Sequence, residues 1–249
     1  MSEKDSEKLP FTGHLEELRK RLLTCFIAVG TGFVISYGFK EKLFSILSQP
    51  LINTMGAGEK LVFTGLPEAF FTYLKVAFLS GFMLAVPVLL YQFWIFVAPG
   101  LYDKERRFLI PIIFLSSLFF IGGALFGYFI VFPFGFKFFL GFASETIKPL
   151  PSMREYLSFA SKLLIAFGLI FELPLIITFL ARLGIVSVEF LKKNRKYALI
   201  LFFAGAAILT PPDVVTQIMM ALPLMILYEI SILGARVFGK KKAKKDNKN

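Results

Sequence analysis

The sequence predicts an all-α membrane protein with six transmembrane helices. Of its 249 residues, 56% are hydrophobic and 32 are phenylalanine, whereas soluble domains contain about 45–50% apolar residues. Six runs with at most one charge each approach the roughly 20 residues that a helix needs to cross the hydrocarbon core. These runs are 22–39, 76–102, 108–136, 163–181, 197–212 and 214–235.

Residues 1–21 precede the first run and form a polar segment of their own. From Phe11 to Leu22, apolar residues recur at spacings of three and four, which predicts an amphipathic helix on the cytoplasmic membrane surface. Glu17 and Arg21 lie four residues apart in this segment, so a local ion pair is one interpretation of Glu17.

Two polar stretches lie between runs on the predicted outer side. The sequences "EKLFSILSQPLINTM" at 41–55 and "MREYLSFASKLL" at 153–164 have helical apolar spacing. We therefore expect short helices that cap the bundle outside the membrane.

The fifth run is short, because its 16 residues rise only about 24 Å as a helix. Pro211 and Pro212 follow, and neither has an N–H with which to continue a helix. We expect short fifth and sixth helices joined by a tight hairpin at "TPPD", residues 210–213.

The placement of basic residues predicts the orientation. Of the 28 lysines and arginines, 20 lie in the segments 1–21, 103–107, 182–196 and 236–249. Because cytoplasmic loops carry an excess of such residues, both termini are predicted in the cytoplasm. The sequence thus divides into an N-terminal segment 1–21, a six-helix domain 22–238 and a basic tail 239–249. The tail suits anionic lipids better than nucleic acid.

Catalytic signatures are absent from the sequence. It contains no P-loop, no H-E-x-x-H and no G-x-S-x-G motif. One histidine and one cysteine exclude a multi-histidine metal site and an internal disulfide, so we predict no catalytic residue, cofactor or metal. An intramembrane enzyme would lack a nucleophile–base pair. An ion-coupled small-molecule transporter is the alternative that the acids Glu172 and Glu229 suggest.

Five motifs carry a family resemblance. They are "FTGHLEELRKRLL", "LYQFWIFVAPGLYDKERR", "YFIVFP", "AFGLIFELP" and "LTPPD". In this order and at these intervals, over about residues 9–238, the chain resembles the TatC family of the twin-arginine protein translocase. The resemblance implies a receptor that binds twin-arginine signal peptides of folded cargo. The N-terminus shows no obvious transit peptide, which favours a prokaryotic inner membrane over an organellar one. Its implied partners are TatA/TatB-like single-span membrane proteins and other copies of itself.

The resemblance also implies site residues. Glu17 and Glu105 match the signal-binding acids of the family, and a carboxylate is the best partner for a planar guanidinium. Arg19 also matches and is expected to hold Glu17 in place. On the residues alone, Glu105 is equally a solvated loop charge. The implied contacts with single-span partners are Glu172, Thr210, Asp213 and Gln217, although Asp213 is also suited to cap the last helix.

Glu172 lies at the centre of the fourth run, where a charge costs about 2.5–3.5 kcal/mol. We expect it to be mostly protonated, because burial disfavours the charged form. Pro174 removes the N–H that would bond the carbonyl of Ile170, which predicts a weakened helix at this point. Two interpretations stay open: Glu172 faces a polar partner-binding groove, or it is hydrogen-bonded within the bundle.

Overall fold

The computed structural model describes residues 11–56, 59–97, 109–144, 146, 148–209 and 214–239. Throughout these residues the regular structure is helical, and an isolated parallel bridge pairs Val62 with Ser152. The all-α prediction is confirmed. Three of the predicted site residues, Glu105, Thr210 and Asp213, lie outside the described residues, as does the basic tail from residue 240 onward.

Ten α-helices make up the described part of the chain. They are α1 (Phe11–Tyr37), α2 (Lys40–Met55), α3 (Glu68–Val97), α4 (Leu109–Phe126), α5 (Phe132–Leu140), α6 (Met153–Phe171), α7 (Leu173–Leu183), α8 (Val188–Lys193), α9 (Arg195–Leu209) and α10 (Val214–Phe238). One turn of π-helix, Gly127–Val131, joins α4 to α5 without a break.

Four helical stretches are long and apolar enough to cross a membrane. They are Glu68–Val97, Ile110–Leu140, Met153–Leu183 and Val214–Phe238. Helices α1 and α2 meet at 89° and together provide up to a fifth. Helix α9 has only 15 residues, in keeping with the short fifth run. The described residues of all six apolar runs thus lie mainly on helices, and six crossings stay a prediction.

Two expectations about helix length are wrong. The last helix has 25 residues and is not short, because its internal Pro223 removes a single hydrogen bond and does not end the helix. The expected cap helix at 153–164 is the first half of α6, which continues to Phe171. Ser152 caps its start, and no glycine or proline interrupts it before Gly168. The predicted helix at 41–55 is confirmed as α2, while its place outside the membrane stays a prediction.

Helix α1 runs without interruption from Phe11 to Tyr37. The amphipathic segment and the first apolar run are therefore one continuous helix. Its contact with α3 is very close, since a Cβ atom on Gly32 would lie 2.5 Å from the carbonyl oxygen of Gly81. Only glycine permits this approach of the two backbones. The pairing brings the first turns of α1 beside the last turns of α3.

Glu68 lies at the start of α3 and binds two separate segments of the chain. Its Oε2 accepts hydrogen bonds from the backbone N–H groups of Thr64 (2.7 Å) and Gly65 (3.2 Å). Its Oε1 accepts from the hydroxyl of Ser152 (2.6 Å) and the N–H of Arg154 (3.0 Å). One carboxylate thus links the segment before α3 to the start of α6.

Candidate functional site

Glu17 pairs with Arg21 on one face of α1. Arg21 Nε donates to Glu17 Oε1 at 3.0 Å, and Arg21 Nη2 donates to the same oxygen. The predicted local ion pair is confirmed. The third arm of the guanidinium, Nη1, donates to Gln92 Oε1 of α3 at 3.1 Å, so the pair is anchored to a second helix.

Arg19 does not hold Glu17. Its side chain is exposed and makes no hydrogen bond or ion pair with any residue that the structure describes. Residues two apart on a helix point in different directions, whereas residues four apart lie on the same face. Arg21 therefore takes the position that we expected for Arg19.

An open cavity of about 460 Å³ lies beside this ion pair. Its lining residues are Gly13, Glu16, Glu17, Lys20, Arg21, Thr24 and Gln92. Glu16 and Lys20 form an exposed ion pair at 2.8 Å, while the side chains of Glu17 and Arg21 are only 28% and 20% exposed. The cavity thus places a partly buried carboxylate among cations, with room for a further side chain.

Glu172 lies at an interruption between two helices. Helix α6 ends at Phe171, and α7 begins at Leu173 with Pro174 in its first turn. The predicted weakening of the helix at this point is confirmed. The two halves still count as one apolar stretch of 31 residues.

The carboxyl group of Glu172 is held inside the bundle by two other helices. Ser116 Oγ of α4 donates to Glu172 Oε2, and Trp94 Nε1 of α3 donates to Ser116 Oγ at 3.0 Å. All three residues are at most 3% exposed. Glu172 Oε1 is buried too and has no hydrogen-bond partner in the described part of the chain. Oε2 is thus hydrogen-bonded within the bundle, as one of the two interpretations predicts, whereas Oε1 has no partner among the described residues.

Gln217 bridges the last two helices. Its Nε2 donates to the carbonyl oxygen of Phe203 at 2.9 Å, and the side chain is half-buried. This bond ties the start of α10 to α9.

Glu229 is not part of a polar path with Glu172. It pairs with Arg195 at 2.7 Å, and both side chains are about half exposed, at 52% and 51%. The pair fastens the start of α9 to the last turns of α10. Of the two acids that suggested a transporter, one is therefore in a local surface ion pair.

Sequence reasoning missed three residues of these sites: Gln92, Trp94 and Ser116. Their partners are 71, 22 and 56 residues away, so spacing along the chain carries no signal for them. The one available sign was composition, since Trp94 is the single tryptophan of the chain and its N–H needs a partner when buried.

Comparison with known proteins identifies the family. The family model described as "Sec-independent protein translocase protein (TatC)" matches residues 13–223. The chain is 70% identical over 239 residues to Sec-independent protein translocase protein TatC of Desulforapulum autotrophicum, covering 96% of this chain and 88% of that relative. It is 41% identical over 238 residues to the TatC protein of Escherichia coli K12, with coverage of 96% and 92%.

A solved structure agrees with the sequence comparison. The fold matches a crystal structure of the twin arginine translocase receptor TatC with a TM-score of 0.81 and 41% identity, covering 90% of this chain and 99% of the other. These matches favour a protein translocase component over the two alternatives, an ion-coupled transporter and an intramembrane enzyme. This chain is a multi-pass membrane component of a protein translocase, and it belongs to the TatC family.

Proposed function

We propose that this chain is the receptor subunit that binds twin-arginine signal peptides of folded cargo through Glu17 and Glu105. The observation that carries the proposal is the state of the Glu17 carboxylate. It borders an open cavity, and Arg21 occupies only its Oε1. Oε2 accepts no hydrogen bond from the described residues and is available to an incoming guanidinium.

The chemistry of the cavity supports an arginine ligand. The ion pair of Glu17 with Arg21 already has the geometry of a guanidinium on a carboxylate, with Gln92 supplying a further acceptor. Glu105 follows the end of α3 by eight residues, a length that spans at most about 28 Å. A second acid within reach of the cavity suits a ligand with two adjacent arginines.

Site-specific crosslinking tests this assignment. A photoreactive residue is placed at Gly13 or Thr24, which line the cavity, and at Tyr102, three residues before Glu105. A matched control probe is placed at the exposed Val34 of α1, outside the cavity. A twin-arginine precursor should crosslink at the first three positions, and a twin-lysine precursor should not. Equal crosslinking from Val34 would contradict the assignment.

Glu172, Gln217, Thr210 and Asp213 form the second part of the proposal: they contact the transmembrane helices of TatA/TatB-like single-span partners. The unpaired Oε1 of Glu172 supports this role, because a buried carboxyl oxygen without a hydrogen bond gains stability from a polar partner. The helix interruption at Glu172 supports it as well, since the backbone there is held by fewer hydrogen bonds.

Partner contact at Glu172 requires local opening of the bundle, because the side chain is only 3% exposed. Leu169, one turn earlier in α6, is 57% exposed and marks the nearest outward face. Crosslinks from Leu169 and Gln217 should capture a single-span subunit. Capture of only a second copy of this chain would instead indicate contact between receptors. The chain lies in a prokaryotic inner membrane in this proposal, and both of its termini are on the cytoplasmic side.

A further inference from the structure

We infer that Gln92 is a positioning residue for the Glu17 site and thereby a determinant of affinity for an arginine guanidinium. The inference rests on the proposed role of Glu17. Gln92 lies in α3, 71 residues from Arg21 along the chain, and its side-chain oxygen accepts from Arg21 Nη1 at 3.1 Å.

The Arg21 guanidinium is shared between Glu17 and Gln92. Its Nε and Nη2 both donate to a single oxygen of Glu17, and its Nη1 donates to Gln92. A free arginine beside a carboxylate favours the bidentate arrangement, with two parallel bonds to two oxygens. Gln92 therefore draws the guanidinium away from Glu17 Oε2.

An incoming arginine meets a Glu17 carboxylate of which Arg21 occupies one oxygen. With Arg21 held on Oε1, the ligand finds one oxygen of a fixed carboxylate open toward the cavity. Without Gln92, Arg21 is free to turn and cover both oxygens, and the ligand must first displace it. The amide of Gln92 keeps Arg21 on Oε1, and because it is uncharged it does not form an ion pair with the ligand itself.

Gln92 is held rigidly relative to Glu17, because their two helices are packed closely together. Gln92 is on a different helix from Glu17 and Arg21, and α1 and α3 are in backbone contact at Gly32 and Gly81. The acceptor is thus held at a fixed distance from the start of α1. A rigid acceptor reduces the side-chain entropy that the site loses when it binds.

The test is a double-mutant cycle on the full-length chain in nanodiscs, read as the affinity for a twin-arginine signal peptide. Gln92→Leu should weaken binding about tenfold, which is about 1.4 kcal/mol. Gln92→Glu keeps an acceptor for Arg21 and should bind at least as tightly as the parent. In a Glu17→Gln background, Gln92→Leu should change the affinity less than about twofold, because its effect acts through Glu17. Tyr91→Phe, on the neighbouring exposed residue, is the matched control.

A second variant leaves Gln92 intact. Arg21→Lys keeps the charge, but a single ammonium group does not reproduce the planar fork that reaches both acceptors. It should weaken peptide binding by a similar factor. Parent-like affinity in Gln92→Leu or Arg21→Lys would overturn the inference, and so would a tenfold loss from Gln92→Leu that persists in the Glu17→Gln background. Parent-like binding by Glu17→Gln alone would instead refute the proposed function.

Discussion

Ser116 Oγ donates a hydrogen bond to Glu172 Oε2 in the interior of the helix bundle, while Glu172 Oε1 has no partner among the described residues. A buried carboxyl group with half of its hydrogen-bonding capacity unused is costly to keep. Glu172 lies at a helix interruption, and its carboxyl group is held by Ser116 of α4 and, through Ser116, by Trp94 of α3. This arrangement suits a group that binds an external partner.

Ser116→Ala should destabilise the protein by about 1–3 kcal/mol, because it leaves both Glu172 Oε2 and Trp94 Nε1 buried without a partner. Thermal unfolding in detergent measures the change. Ser117→Ala is the control, since Ser117 bonds only the carbonyl of Ile113 on its own helix. Equal stability of the two variants would show that the buried network contributes nothing.

Glu172→Gln keeps a donor and an acceptor at the same place and should preserve most recruitment of single-span partners. Glu172→Ala removes both and should impair recruitment while signal-peptide affinity stays near the parent value. Co-purification of partners and peptide binding are measured on the same preparations. If the Ala variant recruited partners normally, Glu172 would be only a structural residue.

Gly81→Ala should separate α1 from α3. The added Cβ atom would lie 2.4 Å from the backbone nitrogen of Phe33, and such overpacking typically costs about 1–3 kcal/mol. Gly30→Ala is the matched control on α1, because a Cβ atom there meets nothing within 4 Å and alanine favours helix. Calorimetric unfolding midpoints should fall for the first variant and hold or rise for the second. A parent-like midpoint for Gly81→Ala would contradict the close approach.

Glu68→Ala should loosen the starts of α3 and α6 together, because it removes the acceptor shared by Thr64, Gly65, Ser152 and Arg154. Amide hydrogen exchange should become roughly tenfold faster in both segments. Glu59→Ala, which removes a partly exposed ion pair with Lys148, should leave both unchanged. Faster exchange in only one segment would show that Glu68 does not couple them.

Local physics explains which features were predictable. Apolar runs and proline positions depend on neighbouring residues, so the helices, the interruption beside Pro174 and the ion pair of Glu17 with Arg21 all followed from the sequence. The extent of α6 was predicted wrongly, although no glycine or proline interrupts the segment before Gly168. Tyr156 and Leu157 in its first half are buried, so this half packs within the bundle as part of the longer helix.

Contacts between helices were the unpredictable part of both sites. The Trp94–Ser116–Glu172 chain and the bond of Arg21 to Gln92 join side chains from separate helices. Such meetings depend on helix rotation and on the close approach at Gly32 and Gly81. Arg19 and Arg21 illustrate the limit of a motif: the family resemblance pointed to Arg19, whereas the four-residue spacing pointed to Arg21, which is the residue that pairs with Glu17.

The affinity of a twin-arginine signal peptide for the purified chain shows whether Glu17 and Glu105 receive the two arginines. Titration calorimetry is carried out on the parent, on Glu17→Ala with Glu105→Ala, and on Glu189→Ala as a control for charge loss at an exposed acid that does not line the cavity. We predict that the double variant loses measurable binding, because both carboxylates that receive the arginines are gone, while Glu189→Ala binds like the parent. Parent-like affinity of the double variant would contradict the assignment of Glu17 and Glu105 as the receptor site.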